Sequence, residues 1–250
     1  MSDYEELRSR DGAAVMAHHQ QMVVTRDVER IMGDYDEHLI AINNLDGTTR
    51  IIRCADDLRV QVAAMMSEEV DETAAAIEPS ILLYRGEGNY MVSSGSFDPV
   101  IPFAAYTYIV RDGLAVYVTG YSKELTKLDG EPAEVQPPEV KGETLLLVEQ
   151  LLHAYSAGDA AAAASYYAED AVVLTNLVEE TAKNRSDIEK LYQVMMGGVN
   201  PRASKPRYTV YEEEEALAFF VYENEQGITE ETYLVKEGAI QFASIVHRGR

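Results

Sequence analysis

A phrase of twenty residues is written twice in this chain, and that repetition constrains the fold more than any other feature. "TRDVERIMGDYDEHLIAINN" (Thr25 to Asn44) and "AGDAAAAASYYAEDAVVLTN" (Ala157 to Asn176) align without a gap. Asp27 pairs with Asp159, Tyr35 with Tyr167, Glu37 with Glu169 and Asn44 with Asn176. Between these identities, Val28, Ile31 and Met32 face Ala160, Ala163 and Ala164 at helical spacing. "LIAI" then faces "AVVL", a short β-prone run. Downstream, "DDLRVQVAAMM" (56–66) matches "SDIEKLYQVMM" (186–196) as capped amphipathic helices. "YIVRDGLAVYV" (108–118) matches "YLVKEGAIQFA" (233–243), each a strand, a charged-Gly turn and a strand. "ILLYRGEGNYMV" (81–92) and "YTVYEEEEALAFF" (208–220) supply a further hairpin in the same order.

Each copy therefore reads as helix, short helix, strand, helix and then several long strands. Residues 9–122 form the first copy and residues 143–250 the second. Residues 123–142, with three prolines, many charges and few apolar side chains, read as a linker. A length of about 110 residues is comfortable for one hydrophobic core.

Composition excludes more than it selects. A net charge of −22 with no compensating basic stripe argues against nucleic acid and against anionic membrane surfaces. No apolar run approaches a membrane span, and the acidic start "MSDYEELRSRDG" lacks the pattern of a secretory signal. A single cysteine, Cys54, allows no intrachain disulfide, and the expected location is the cytoplasm.

The sequence of a helix, then "AGD", an alanine-rich short helix and "YAEDAVV" entering a strand resembles the SnoaL-like group of the nuclear-transport-factor-two-like superfamily. The resemblance is clearest over 145–196 and extends across both repeats. It implies an α+β fold of two tandem cone-shaped domains, each a curved antiparallel sheet wrapped around a long first helix and enclosing an apolar cavity. Its motifs mark shape rather than chemistry. In that frame Asp27 and Asp159 are N-caps of the short helix, and Tyr35 and Tyr167 close it from the apolar side. Family members pair through their sheets, so the two copies are expected to form an intramolecular pseudo-dimer, with further homo-oligomers open.

The resemblance also implies where chemistry would sit. Ketosteroid isomerases of this family use a helix tyrosine, a strand aspartate and a second strand acid. Those places hold Leu151, Thr175 and Glu231 in the second copy, and His19, Asn43 and Tyr106 in the first, so neither copy has the isomerase set. Read from the residues themselves, Val15, His19 and Met22 share a helical face, which turns His19 toward the apolar interior as an acid or base, or as a hydrogen-bonded core histidine. Tyr106 and Tyr108 share a strand face, and Asn43 approaches from the neighbouring strand. In "GITEETYLV", alternation turns Glu230 or Glu231 inward, where a carboxylate would have a raised pKa; a later strand start, which we favour, leaves both in solvent. Tyr155 adds a hydroxyl at the mouth of an otherwise apolar second copy.

The expected catalytic pair is His19 and Tyr106, with Asn43, Tyr108, Tyr155 and Glu231 contacting ligand. The expected function is binding of a small apolar organic molecule with a carbonyl or hydroxyl, with cofactor-free isomerisation, cyclisation or dehydration as the activity if it is an enzyme. A non-catalytic ligand-binding or protein-interaction module is the alternative. No cofactor and no metal are expected: His18 and His19 project about 100° apart on a helix, and "GDYDEH" (33–38) reads as a solvated turn. "RGEG" (85–88) and "YEEEEA" (211–216) read as hairpin turns, and Cys54 as an inert thiol at a helix start.

Overall fold

The computed structural model describes residues 8–45, 47–67, 80–97, 101–123, 142–198, 208–224 and 226–249. The chain divides into two compact units, Met1–Leu128 and Asp129–Arg250, a division that falls within 123–142. All of that stretch except its end residues lies outside the described residues.

In the first unit, α1 (Gly12–Thr25) and α2 (Val28–Met32) precede β1 (Tyr35–Leu45), β2 (Thr48–Ile52), α3 (Ala55–Ser67) and four strands, β3 (Ser80–Glu87), β4 (Tyr90–Phe97), β5 (Ile101–Arg111) and β6 (Leu114–Lys123). The second unit repeats the order with α4 (Glu143–Ser156), α5 (Ala160–Ser165), β7 (Tyr167–Thr175), α6 (Arg185–Gly197), β8 (Tyr208–Glu214), β9 (Leu217–Asn224), β10 (Gly227–Lys236) and β11 (Ala239–Gly249). The expected α+β pair of tandem domains is what the chain forms.

The local signals act as the sequence requires. The Asp27 carboxylate accepts from Arg30 N at 3.1 Å, and Asp159 accepts from Ala162 N at 2.9 Å, so both repeated aspartates cap their short helices. Gly158, at φ +76°, reverses the chain between α4 and α5. The β5–β6 turn places Asp112 and Gly113 at positive φ, and the β10–β11 turn does the same with Glu237 and Gly238. Two consecutive left-handed residues match the twist of the flanking strands.

Three expectations are corrected here. The sheets are mixed rather than wholly antiparallel, with orders β2-β1-β6-β5-β4-β3 and β7-β11-β10-β9-β8. In each, the first strand pairs in parallel with the last, β1 with β6 and β7 with β11. Hairpin turns encode only adjacent pairings, and this one joins strands far apart in sequence. The β2 strand, with its Thr48, Ile51 and Ile52, was not anticipated, and the second unit has only a bridge between Val173 and Ala182 in its place. Finally, most of "YEEEEA" belongs to β8, and only Glu215 and Ala216 make the turn. Glu213 from that strand accepts from Gly142 N at 2.6 Å and Thr144 N at 3.0 Å, capping α4.

Bulges interrupt the register between β3 and β4, β4 and β5, and β5 and β6, bending these strands. The first core gathers Met16 and Met22 of α1, Ile31 and Met32 of α2, and Leu39, Ala41, Met91, Tyr108 and Val118 of the sheet. The second gathers Leu145, Val148 and Leu151 of α4 with Phe220, Tyr233, Ala243 and Ile245. In both, one face of the sheet meets the first helix.

Candidate functional site

The polar groups of the first unit gather where α1 crosses the start of β1. His19 follows Val15 by one turn, as the helical spacing requires, and its side chain is only 14% exposed. Its Nδ1 lies 3.5 Å from the Tyr35 hydroxyl, which lies 3.4 Å from the Tyr108 hydroxyl. The imidazole meets the Tyr35 ring edge-on and the Tyr108 ring at a tilt, both at 5.6 Å between centroids. Burial lowers the His19 pKa; Asp34 opposes that shift and His18 adds to it. The imidazole is therefore neutral near pH 7. Burial and neighbouring hydroxyls push the Tyr35 pKa up, and burial does the same for Tyr108. Both phenols keep their protons and are available as hydrogen-bond donors.

Beneath this cluster lies a residue that the sequence reading placed in a solvated turn. Asp34 is wholly buried. Arg10 Nη1 donates to its Oδ1 at 2.7 Å, and His18 Nδ1 reaches its two oxygens at 2.8 and 2.9 Å. His19 Nδ1 stands 3.8 Å from Oδ2. Arg10 also donates from Nη2 to Gly113 O at 2.9 Å, tying the segment before α1 to the β5–β6 turn. The two adjacent helical histidines thus converge on one carboxylate, at different distances. Within "GDYDEH", Gly33, Glu37 and His38 are exposed, Asp36 is half-buried, and Asp34 and Tyr35 are buried. Among the described residues, no group of three or more His, Cys, Asp or Glu is arranged to hold a metal ion.

Asn43 and Tyr106 meet across Gly120. The β6 strand lies between β1 and β5, and Gly120 pairs with Asn43 on one side and Tyr106 on the other. A Cβ at Gly120 would stand 2.7 Å from Asn43 Oδ1 and 3.0 Å from two carbons of the Tyr106 ring. Asn43 therefore comes from the next strand but one, not from the neighbouring strand. Only a residue without a side chain lets the two groups lean together. Tyr108 lies two residues further along the same face as Tyr106, and both pack on the first core. The closest polar partner of His19 among the tyrosines is Tyr35, a residue first read as a packing element.

In the second unit Leu151 and Thr175 are fully buried. The favoured solvent position for the glutamates is overturned: β10 begins at Gly227, four residues ahead of Glu231, and both Glu230 and Glu231 are buried on opposite faces. Glu231 accepts from Tyr222 at 2.9 Å and from Tyr233 at 2.7 Å. Beside it lies a cavity of about 10 Å³ bordered by Tyr155, Tyr192, Tyr222, Tyr233, Glu231 and Leu152. That is roughly the room one water molecule needs. Tyr192 and Tyr167 hydroxyls stand 2.7 Å apart.

The sequence did contain a signal for these missed partners. Tyr35/Tyr167 and Tyr108/Tyr233 occupy matched positions in both copies. A tyrosine kept where phenylalanine would pack equally well points to a hydroxyl with a partner. In the first unit the matched pair meet each other; in the second, Tyr167 turns to Tyr192 and Tyr233 to Glu231.

No family model matches the chain, and no curated protein matches it. Its likenesses are to solved structures. An uncharacterised cystatin-fold protein from Novosphingobium aromaticivorans shares 9% identity, with 42% of this chain and 98% of that chain covered at a TM-score of 0.35. An NTF2-like protein of unknown function from Burkholderia xenovorans shares 14% identity over 43% of this chain and 84% of that one, at 0.34. An NTF2-like protein from Burkholderia thailandensis shares 15% over 46% and 92%, at 0.36. The chain is similar to NTF2-like proteins. The assignment of its two units to one fold rests on their matched element order, capped short helices and common strand order, all described above.

Proposed function

We propose that this protein binds a small, largely apolar organic molecule in its first unit and holds a carbonyl or hydroxyl oxygen of it there. The observation that carries this reading is the approach of His19 Nδ1 and the Tyr35 and Tyr108 hydroxyls to within 3.4–3.5 Å among the apolar side chains of the first core, with the buried Asp34 behind them. At such lengths these groups bond one another weakly, so a ligand oxygen competes well for the phenolic protons. Asn43 and Tyr106, one row along the sheet, border the same face. If the unit is catalytic, neutral His19 takes a proton from carbon next to the carbonyl, the phenols stabilise the resulting oxyanion, and the imidazolium returns the proton at another carbon. That isomerisation balances without a cofactor.

The experiment is mass spectrometry of molecules released from the purified chain, followed by binding of the molecule found. His19→Ala and Tyr106→Phe should each weaken binding or abolish turnover while leaving the circular dichroism spectrum unchanged. Unaltered binding and rates in both variants would remove this site. A second reading, a non-catalytic binding or interaction module, is favoured by the filling of the second core, where Leu151 and Thr175 stand at positions implied to be catalytic. Pairing of the two copies within one chain, and a cytoplasmic location, belong to the same proposal. An experimental structure with the two units separated would end the first, whereas a light-scattering mass above that of one chain would show only that further chains join it. No helix among the described residues is long and apolar enough to cross a membrane.

A further inference from the structure

The buried carboxylate of Asp34 decides which nitrogen of His19 is free to act. Its Oδ1 accepts from Arg10 Nη1 at 2.7 Å, and His18 Nδ1 stands 2.8 Å from Oδ1 and 2.9 Å from Oδ2. An ionised carboxylate offers lone pairs and no hydrogen. A bare imidazole nitrogen held against it would set lone pair against lone pair. His18 Nδ1 therefore carries the ring hydrogen, and Nε2 is the bare nitrogen of that ring.

His19 stands in the same field. Its Nδ1 is 3.8 Å from Asp34 Oδ2, beyond a full hydrogen bond, but Asp34 is wholly buried and its charge is poorly screened. The other neighbour of Nδ1, the Tyr35 hydroxyl at 3.5 Å, can donate or accept and so does not choose between tautomers. The carboxylate does choose: it attracts a hydrogen on Nδ1 and repels a lone pair there. With the hydrogen on Nδ1, that N–H faces the Tyr35 oxygen. The Tyr35 hydrogen is then free to turn to Tyr108, 3.4 Å away, or to a ligand oxygen. On the far side of the ring, Nε2 has no hydrogen-bond partner among the described residues, and it becomes the basic atom. Proton abstraction by Nε2 makes an imidazolium beside Oδ2, so the carboxylate that sets the tautomer also stabilises the cation.

We infer that Asp34 is a positioning residue of the first-unit site, which holds His19 as its Nδ1–H tautomer and leaves Nε2 to exchange protons with a ligand. The role of His19 rests on the first-unit reading, whereas its tautomer is a property of the ligand-free chain.

The test is long-range proton–nitrogen correlation NMR of the imidazole rings in the nitrogen-15-labelled full chain at pH 8, where unperturbed histidines are neutral. The chain has five histidines, and His18→Gln and His19→Gln assign the two that matter. Exposed His153 supplies the reference for an imidazole in water. In the parent chain Nδ1 of both His18 and His19 should read as protonated and Nε2 as bare. In Asp34→Asn the donor-only Arg10 keeps the amide oxygen, which turns the amide NH2 toward the place of Oδ2; His19 should then shift to its Nε2–H form. Tyr35→Phe retains Asp34 and should leave His19 as Nδ1–H. A parent chain with His19 as Nε2–H, a folded Asp34→Asn with His19 unchanged, or a shift in Tyr35→Phe would each overturn the inference. Should Asp34→Asn fail to fold, the parent spectrum and Tyr35→Phe still decide. Failure of the first-unit reading would show in ligand binding, which this spectrum does not use.

Discussion

Replacing Arg10 by alanine tests the electrostatic foundation of the first unit, because it removes the cation from a carboxylate that cannot reach water. The Asp34 side chain is fully buried, whereas Arg10 is 12% exposed and His18 37% exposed. Removing one partner of a buried ion pair costs about 3–5 kcal/mol, since the other charge is left uncompensated. The His18 Nδ1–H bond to Asp34 survives the substitution, which places the loss near the lower end, at about 3 kcal/mol. The substitution also breaks the bond from Nη2 to Gly113 O, a smaller cost of about 1 kcal/mol. Asp34→Asn should cost less, on the order of 2 kcal/mol, because the guanidinium left behind is nearer to solvent.

The diagnostic result is the double variant. With Arg10→Ala and Asp34→Asn together, no uncompensated charge remains in the interior, so the double variant should be more stable than Arg10→Ala alone. Urea denaturation of the full chain at pH 8, followed by far-ultraviolet circular dichroism, reads all four states of this cycle. A double variant less stable than Arg10→Ala, or an Arg10→Ala loss below about 1 kcal/mol, would refute the argument that Asp34 is held charged in the core by Arg10.

Three further outcomes are expected. Gly120→Ala drives a methyl group to 2.7 Å from Asn43 Oδ1 and should cost about 1–3 kcal/mol; adding Asn43→Ala should recover part of the loss, and an unchanged urea midpoint would discount the close approach. Burial lowers the pKa of both His19 and His247 below 6.5, so the unfolded chain binds more protons than the folded one between the lowered values and 6.5. Stability is therefore complete above pH 6.5 and declines as the pH falls below it, by at most about 1.4 kcal/mol per pH unit for each histidine. His19→Gln with His247→Gln should flatten that decline, as read from urea midpoints between pH 5 and 8. Asp159→Ala removes the bond to Ala162 N and should cost about 1 kcal/mol, whereas Asp159→Asn should cost far less; equal losses would mean that capping is not its role.

The fold was legible where the information is local and written twice. Asp27 and Asp159 name the same cap, the charged-Gly turns name the same hairpins, and agreement between copies separates element from accident. Pairing of first strand with last was not legible, because no turn joins them. The site was legible where periodicity fixes a direction: the spacing of Val15, His19 and Met22 turned His19 inward. Asp34 was not, since an acidic residue among Asp36, Glu37 and His38 has the composition of a solvated turn. What buries it is Arg10, from outside the repeated phrase and before α1. Glu231 was misplaced through the start of its strand: β10 begins at Gly227, ahead of both glutamates, and the earlier start turns a solvent position into a buried one.

The differences between the copies are as ordered as the likenesses. Where the first unit has His19, the second has Leu151; where it has Tyr106, the second has Glu231; and across the sheet Gly120 stands opposite Ile245 in the matched row. The first unit thereby loses bulk beside Tyr106 and gains a nitrogen base above two phenols that keep their protons. The second fills the same row with isoleucine and spends its phenolic protons on a carboxylate. Exchange within this row is therefore the sharpest test of divergence. Tyr106→Glu in the first unit would place a carboxylate near Tyr35 and Tyr108, and its affinity for an oxygen-bearing ligand should fall as their protons turn toward the new acceptor.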